Sequence, residues 1–189
     1  MASRSLPAAS ARRDADVELV EAAQSGDRAA FAQLYERFGA VVHGVLVSMV
    51  AREDAADLTQ EVFLSALRML PTLEQPERFG GWLCTIARNR ARDLYKRPAD
   101  FVELGPETEP VEQDPAHEDE EAAQILSVLQ TLPEAYRETL SLRLVEGLNG
   151  PDIAHRTGMT AGSVRVNLHR GLQLLRERLN QRGLGGGAS

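Results

Sequence analysis

Between residues 98 and 121 the chain carries ten acidic residues and no basic one. Pro98, Pro106, Pro110 and Pro115 fall in the same stretch, which has little apolar periodicity. Such a segment cannot bury enough surface to repay its ordering entropy, and it is expected to form an extended acidic linker. It is also the clearest boundary in the chain, and two smaller units are expected on either side of it, over 14–97 and 122–182. Residues 1–13 are expected to be a disordered N-terminal arm, and the glycine-rich end, 183–189, a disordered tail.

Charge follows the same division. The formal net charge is −7, yet residues 1–13 carry +3, 14–97 carry −3, the linker −10 and 122–189 +3. The acidity belongs to one segment, so it does not argue against a nucleic acid partner. The single cysteine, Cys84, excludes an intramolecular disulfide framework and a multi-thiolate zinc site, and fits a reducing cytoplasm. No apolar run reaches the length of a membrane span. The first residues contain arginines but no apolar stretch of the kind a secretory signal needs. Aromatic residues are scarce at 5%, which argues against a β-sandwich.

Both units read as helical. Val17, Val20, Phe31, Leu34, Tyr35, Phe38, Val41, Val42, Val45, Leu46 and Met49 recur at three and four. Ser25-Gly26-Asp27 supplies a helix stop and an Asp N-cap. Further helices are expected from Glu53 to Leu70, ending before Pro71, and from Gly80 to Arg97, ending before Pro98. After the linker come Ile125, Leu126, Val128, Leu129 and Leu132, then, past Pro133, Tyr136, Leu140 and Leu144. The fold class is all-α: two small helical bundles joined by a flexible acidic tether.

Three helices carry more pattern than a core requires. On a wheel of about 100° per residue, Leu58, Val62, Phe63, Ala66, Leu67 and Leu70 gather on one side. Asp57, Gln60, Glu61, Ser65 and Arg68 lie opposite, around Leu64. That face is either a solvated surface with one stray leucine or a docking surface with an apolar anchor in an acidic rim. On the next helix Leu83, Ala87, Ala91 and Leu94 form a core stripe. Arg88, Arg92 and Lys96 form a basic ridge beside Thr85, Asn89 and Trp82. Such a ridge suits a nucleic acid strand; it equally suits a helix C-terminus whose arginines complement the dipole or pair with acids elsewhere.

The segment from Leu148 to Arg170 is the strongest local signal. Pro151 fits a first helical turn, Gly158 a left-handed turn, and Thr160 the cap of a second helix with Val164, Leu168, Leu172, Leu175 and Leu179 on its apolar side. This is a helix-turn-helix, whose second helix enters the major groove. Between Arg156 and Arg182 there are six arginines and one acid, Glu177, the charge such an element needs.

Four motifs in order, ADLTQEVFLSAL (56–67), FGGWLCTIARNRARDLYKR (79–97), LQTLPEAYRETLSLRLVEGL (129–148) and the helix-turn-helix with SVRVNLHRG (163–171), resemble the extracytoplasmic-function group of bacterial sigma factors. The resemblance spans about residues 16–180. It implies a first bundle (region 2) that binds the β′ clamp helices of core RNA polymerase and opens the minus-ten promoter element. It implies a second bundle (region 4) that meets the β flap and reads the minus-thirty-five element. By position, Asp57, Gln60, Glu61, Phe63 and Leu64 match the polymerase-docking motif. Arg88, Asn89, Arg92, Asp93, Lys96 and Arg97 match the segment that captures the non-template strand. Thr160, Ser163, Arg165, Asn167, His169 and Arg170 fall on the recognition helix. No cofactor and no metal are implied; an anti-sigma partner is, and such a partner could hold the protein at the membrane.

Two positions depart from the family. Asn167 stands where arginine is usual, so Asn167→Arg is expected to tighten DNA binding. Gly171 stands where alanine is usual and is expected to cost about 1 kcal/mol of helix propensity. The linker's acidity fits a spacer, or a nucleic acid mimic that occupies basic polymerase channels. A stand-alone helix-turn-helix regulator is the alternative class, but it would need a sensor or dimerisation domain where residues 16–97 show a ridge and a docking face. An RNA-binding protein leaves the helix-turn-helix unexplained. An enzyme has least support: His43, His117, His155 and His169 lie apart without metal-ligand spacing, and no nucleophile motif is present.

Overall fold

A computed structural model describes the backbone of residues 6–96 and 117–183, with side chains described over 11–94 and 122–183. Helix α1 runs Leu6–Gln24, α2 Arg28–Val47, α3 Arg52–Met69, and α4 Phe79–Lys96. The second unit contributes α5 (His117–Gln130), α6 (Glu134–Leu144), α7 (Gly150–Thr157) and α8 (Ala161–Gln181). Among the described residues there is no strand, and no helix is long and apolar enough to cross a membrane.

Local chemistry sets most boundaries. Gly26 turns the chain at φ +98°, and the Asp27 carboxylate caps α2 by accepting from the amides of Ala29 and Ala30. Helix α3 has Glu53 and Asp54 in its first turn and Arg68 in its last, each at the favoured end of the dipole. Pro71 ends it in a short 3-10 turn over Leu70–Thr72. The loop that follows is tied to α1 by the Gln24 side-chain amide, which donates to the carbonyls of Leu70 (3.0 Å) and Leu73 (2.7 Å).

Helices α1–α4 enclose a core built from Leu34, Phe38, Val41 and Leu46 of α2, Val62, Phe63 and Ala66 of α3, and Leu83, Ala87 and Ala91 of α4. This cluster does not end at the first bundle. Leu142 of α6, Ile153 and Ala154 of α7, and Val164 of α8 belong to it. The second bundle's separate cluster has as buried members, among the described residues, only Val128, Leu129, Leu132, Leu140 and Leu175, with leucines such as Leu168 and Leu172 partly buried against them. A core that small is marginal by itself. The helix-turn-helix therefore buries much of its apolar face against its neighbour.

Glycines permit that approach. A Cβ on Gly80 would run into the backbone carbonyl of Arg156, and one on Gly44 would lie 2.8 Å from side-chain atoms of Leu142 and Glu146. Polar contacts close the seam. The Asp16 carboxylate accepts from Arg37 (2.6 Å) and pairs with His155 (3.0 Å), joining α1, α2 and α7. His43 pairs with Glu146 at 2.6 Å, and the Arg156 guanidinium donates to the carbonyl of Arg37. The Gln130 amide donates to the carbonyls of Val47 (2.9 Å) and Val50 (2.8 Å) at the end of α2, where helical carbonyls lack intrahelical partners.

Several expectations are corrected. The arm assigned to 1–13 is helical from Leu6 onward. Alanine-rich sequence extends α1 backwards, and Arg12 meets Asp152 of α7 at 3.0 Å. Residues 117–121, given to the linker, are the first residues of α5; the apolar stripe of that helix propagates cooperatively toward its N-terminus. Arg97, the rest of the linker (98–116) and the tail beyond Gly183 lie outside the described residues.

Candidate nucleic-acid interface

Helix α3 is the outer wall of the first bundle. Its inner side is Leu58, Val62, Phe63 and Ala66, all buried. Asp57, Gln60 and Glu61 are exposed, and Leu64 is 54% exposed among them. Leu67, expected in the core, is instead 46% exposed. One turn from Leu64, it makes the apolar anchor a pair, which the wheel had placed just inside the core boundary. Ser65, expected outside, is buried and accepts from Arg90 at 2.8 Å. Phe63, assigned to the docking motif by resemblance, is only 3% exposed. Its ring lies against Tyr35 (centroids 4.6 Å) and Phe31 (6.3 Å), so it supports the face from beneath rather than touching a partner.

The basic ridge of α4 occupies the opposite side of its helix from Leu83, Ala87 and Ala91. Arg88 is held by Glu138 of α6 through two parallel bonds, Nε to Oε2 at 2.9 Å and Nη2 to Oε1 at 2.8 Å. The hydrogen bond with Glu138 pushes its pKa still higher than the ordinary arginine value. One turn on, Arg92 meets Glu134 at 3.1 Å. Asn89 and Asp93 are exposed. Lys96 ends α4, and Arg97 lies outside the described residues. The two described arginines of the ridge are thus, in this conformation, each paired with a carboxylate of α6. Glu134 and Glu138 are four residues apart, as are Arg88 and Arg92, but nothing local to either helix says that they meet.

The helix-turn-helix has the expected form. Asn149 caps α7 by accepting from the amide of Asp152 (2.9 Å), Pro151 sits in the first turn, and Gly158 takes φ +75°. Thr160 caps α8, accepting from the Ser163 amide at 3.1 Å. Thr160, Ser163, Arg165, His169 and Arg170 are exposed. Asn167 is not among them. It is half-buried, and its side-chain amide donates to the Thr139 hydroxyl of α6 at 3.3 Å. It braces the two helices, so the gain expected from Asn167→Arg is withdrawn: the longer cation must first break that contact and leave the seam. Gly171 also proves structural. It is buried, and a Cβ there would stand 3.0 Å from Leu140 and 3.2 Å from Tyr136. Its lower helix propensity accompanies a closer approach of α8 to α6.

Two further features lie at the junction. A cleft of about 810 Å³ has Gln75, Arg78 and Trp82 on the first-bundle side and His155, Gly158 and Met159 on the other. Cys84 is fully buried. Burial, with Glu138 adding to it, pushes its thiol up to about 12, so it stays protonated and unreactive. Among the described residues no three His, Cys, Asp or Glu side chains come together as a metal site.

Two helical bundles, one ending in a capped helix-turn-helix and the other bearing an exposed apolar pair in an acidic rim, have the form of a DNA-binding protein. Comparison makes the class specific. The family description Sigma-70 region 2 matches residues 34–100, and Sigma-70, region 4 matches 122–175. The RNA polymerase sigma factor CarQ of Myxococcus xanthus is 35% identical over 167 residues, 86% of this chain and 96% of that protein. The ECF RNA polymerase sigma factor BldN of Streptomyces coelicolor is 32% identical over 178 residues, 89% of this chain and 67% of that protein. Among solved structures, that of CnrH in complex with the cytosolic domain of CnrY aligns with a TM-score of 0.60 at 27% identity, covering 88% of this chain and 98% of that one. The chain belongs to the extracytoplasmic-function group of RNA polymerase sigma factors. It binds core polymerase and directs promoter-specific transcription initiation.

Proposed function

We propose that the labour is divided along the chain as follows. Residues 14–97 dock on core polymerase through the outer face of α3 and hold the opened minus-ten strand along α4. The second bundle, α5 to α8, reads the minus-thirty-five element with the first turns of α8, and the acidic segment between α4 and α5 connects the two bundles. The protein performs no bond chemistry of its own; polymerase is the catalyst. It works in the cytoplasm, and a relative of its fold solved with a partner's cytosolic domain supports the same compartment and an anti-sigma partner here.

The observation that carries this reading is the pair Leu64 and Leu67, exposed on a helix that had a complete apolar side available to bury them. Around them Asp57, Gln60 and Glu61 form a polar and acidic rim. An apolar centre with a charged rim is the anatomy of a protein–protein contact, and carboxylates steer it toward a basic partner. On α8, Arg165, His169 and Arg170 supply groups for phosphates and base edges. The test is core binding and run-off transcription by the Asp57→Lys, Glu61→Lys double variant. Loss of both activities with an unchanged circular dichroism spectrum is expected; full retention of core binding would refute the docking face.

A further inference from the structure

We infer that α6 is an intramolecular clasp: Glu134 and Glu138 occupy the strand-binding cations Arg92 and Arg88, so the protein cannot hold single-stranded DNA until its two bundles part. The inference rests on the proposed role of the α4 ridge and adds what controls that ridge.

The geometry is specific. Arg88 and Arg92 are one helical turn apart, about 6 Å along the axis, and so are Glu134 and Glu138. The two rows face one another with each carboxylate on one guanidinium. Carboxylates at that spacing present to the ridge what a nucleic acid backbone presents, a row of anionic oxygens. The inner pair is the more committed. The Arg88 side chain is 25% exposed and that of Glu138 only 7%, against 48% and 45% for Arg92 and Glu134. A forked arginine–carboxylate contact satisfies Arg88 in the geometry that a phosphate would otherwise take.

Stability does not explain the arrangement. Desolvating two charges offsets most of their attraction, and apolar side chains of similar size usually do as well. The seam has an apolar centre, where Leu142, Ile153, Ala154 and Val164 join the first bundle's cluster. An ion pair in such a seam makes closure depend on groups that have a second use. The closure also has a steric key independent of charge. Gly80, on the first turn of α4, lies against the backbone of Arg156 at the end of α7, and a Cβ at 80 would come within 2.9 Å of the Arg156 carbonyl carbon. Helix backbone cannot yield as a side-chain tip can, so an alanine there must push α7 away.

These two keys give two ways to open the protein. In a clasped protein the apparent affinity for a strand is reduced by the fraction that is open, so opening raises it without any new contact. Five full-length proteins are compared: wild type, Glu134→Gln with Glu138→Gln, Gly80→Ala, and each of these two opened proteins carrying Arg88→Ala and Arg92→Ala as well. The radius of gyration is read by small-angle scattering. Affinity is read by fluorescence polarisation of a labelled single-stranded DNA of about twenty nucleotides. Both opened proteins are expected to expand and to bind at least about tenfold tighter than wild type, and the arginine substitutions to abolish that gain. Gly80→Ala changes no charge, so its gain cannot come from reduced repulsion. Expansion without tighter binding overturns the clasp, and so does failure of both opened proteins to expand. If the arginine substitutions leave the opened proteins' binding unchanged, the ridge itself is not the strand site and the proposed role of α4 falls with the clasp.

Discussion

Helices α3 and α4 are neighbours in one bundle, each with a buried apolar side and a charged outer side, yet their outer sides are in opposite states. On α3, Leu64 and Leu67 stand open to solvent within their acidic rim. On α4, the two described ridge arginines are covered by a second helix that offers each a carboxylate. The difference comes from position in the packing: α3 is on the outside of the assembly of eight described helices, whereas α4 lies in the seam where α6 and α7 arrive. A surface free to bind at once and a surface free only after rearrangement can therefore sit side by side. On the proposed roles of the two faces, polymerase docking needs no prior change, and strand capture does.

The largest effect should come from the open face. Leu64→Arg, or Leu67→Arg, places a cation where an apolar anchor is needed and should weaken core binding by about 2–4 kcal/mol, the range of an interface hot spot. Its melting temperature should match wild type, because both side chains are exposed already. Equal core affinity in a titration with core polymerase would place the docking face elsewhere.

The closed face should show a graded response. Arg88→Ala strands the buried Glu138 carboxylate, and breaking such pairs costs about 3–5 kcal/mol when no relief is available. Parting of the bundles rehydrates Glu138, so we expect about 1–3 kcal/mol in urea unfolding. Arg92→Ala breaks a half-exposed pair and should cost less than about 1 kcal/mol. Equal costs at the two positions would mean that the seam is wetter than its packing shows. On α8, Arg165→Ala should weaken binding to a minus-thirty-five duplex by about 1–3 kcal/mol if the side chain reads a guanine edge. If it meets only phosphate, the loss should be the same on every sequence and the salt slope shallower.

The smallest effect concerns Cys84. Its thiol is held up to about 12 when folded, against an ordinary 9.0. The folded state therefore binds this proton more tightly than the unfolded chain. Its contribution is complete below pH 9 and is lost as pH rises toward 12. Near neutral pH, Ellman's reagent should label the thiol only as fast as the protein opens globally. Rapid stoichiometric labelling of the native protein would contradict the burial of the α4 stripe.

What could be read in advance was what short stretches decide for themselves. Gly26-Asp27, Pro71, Pro151, Gly158 and Thr160 act through their own backbone angles or caps, and each marks a boundary where expected. The class of fold and the helix-turn-helix followed from them. Leu67 and Ser65 were misplaced because each lies near the edge of the apolar arc, where a turn of some tens of degrees changes its side. Alanines before Asp14 carry no amphipathic signal, so the start of α1 was invisible. Phe63 was assigned to a contact by position in a motif, and only packing against Tyr35 shows it lying beneath that contact. The pairing of Arg88 with Glu138 joins residues 50 apart, a relation that no periodicity within either helix encodes.

The Gln130 side chain completes the last turn of α2 from 80 and 83 positions further along the chain. On a ribosome adding about 5–20 residues per second, that interval amounts to roughly 5–15 s. During it the N-terminal bundle must emerge and collapse with the carbonyls of Val47 and Val50 hydrated. The first half of the molecule therefore spends its early life with an end unfinished, and the second half arrives as the stopper.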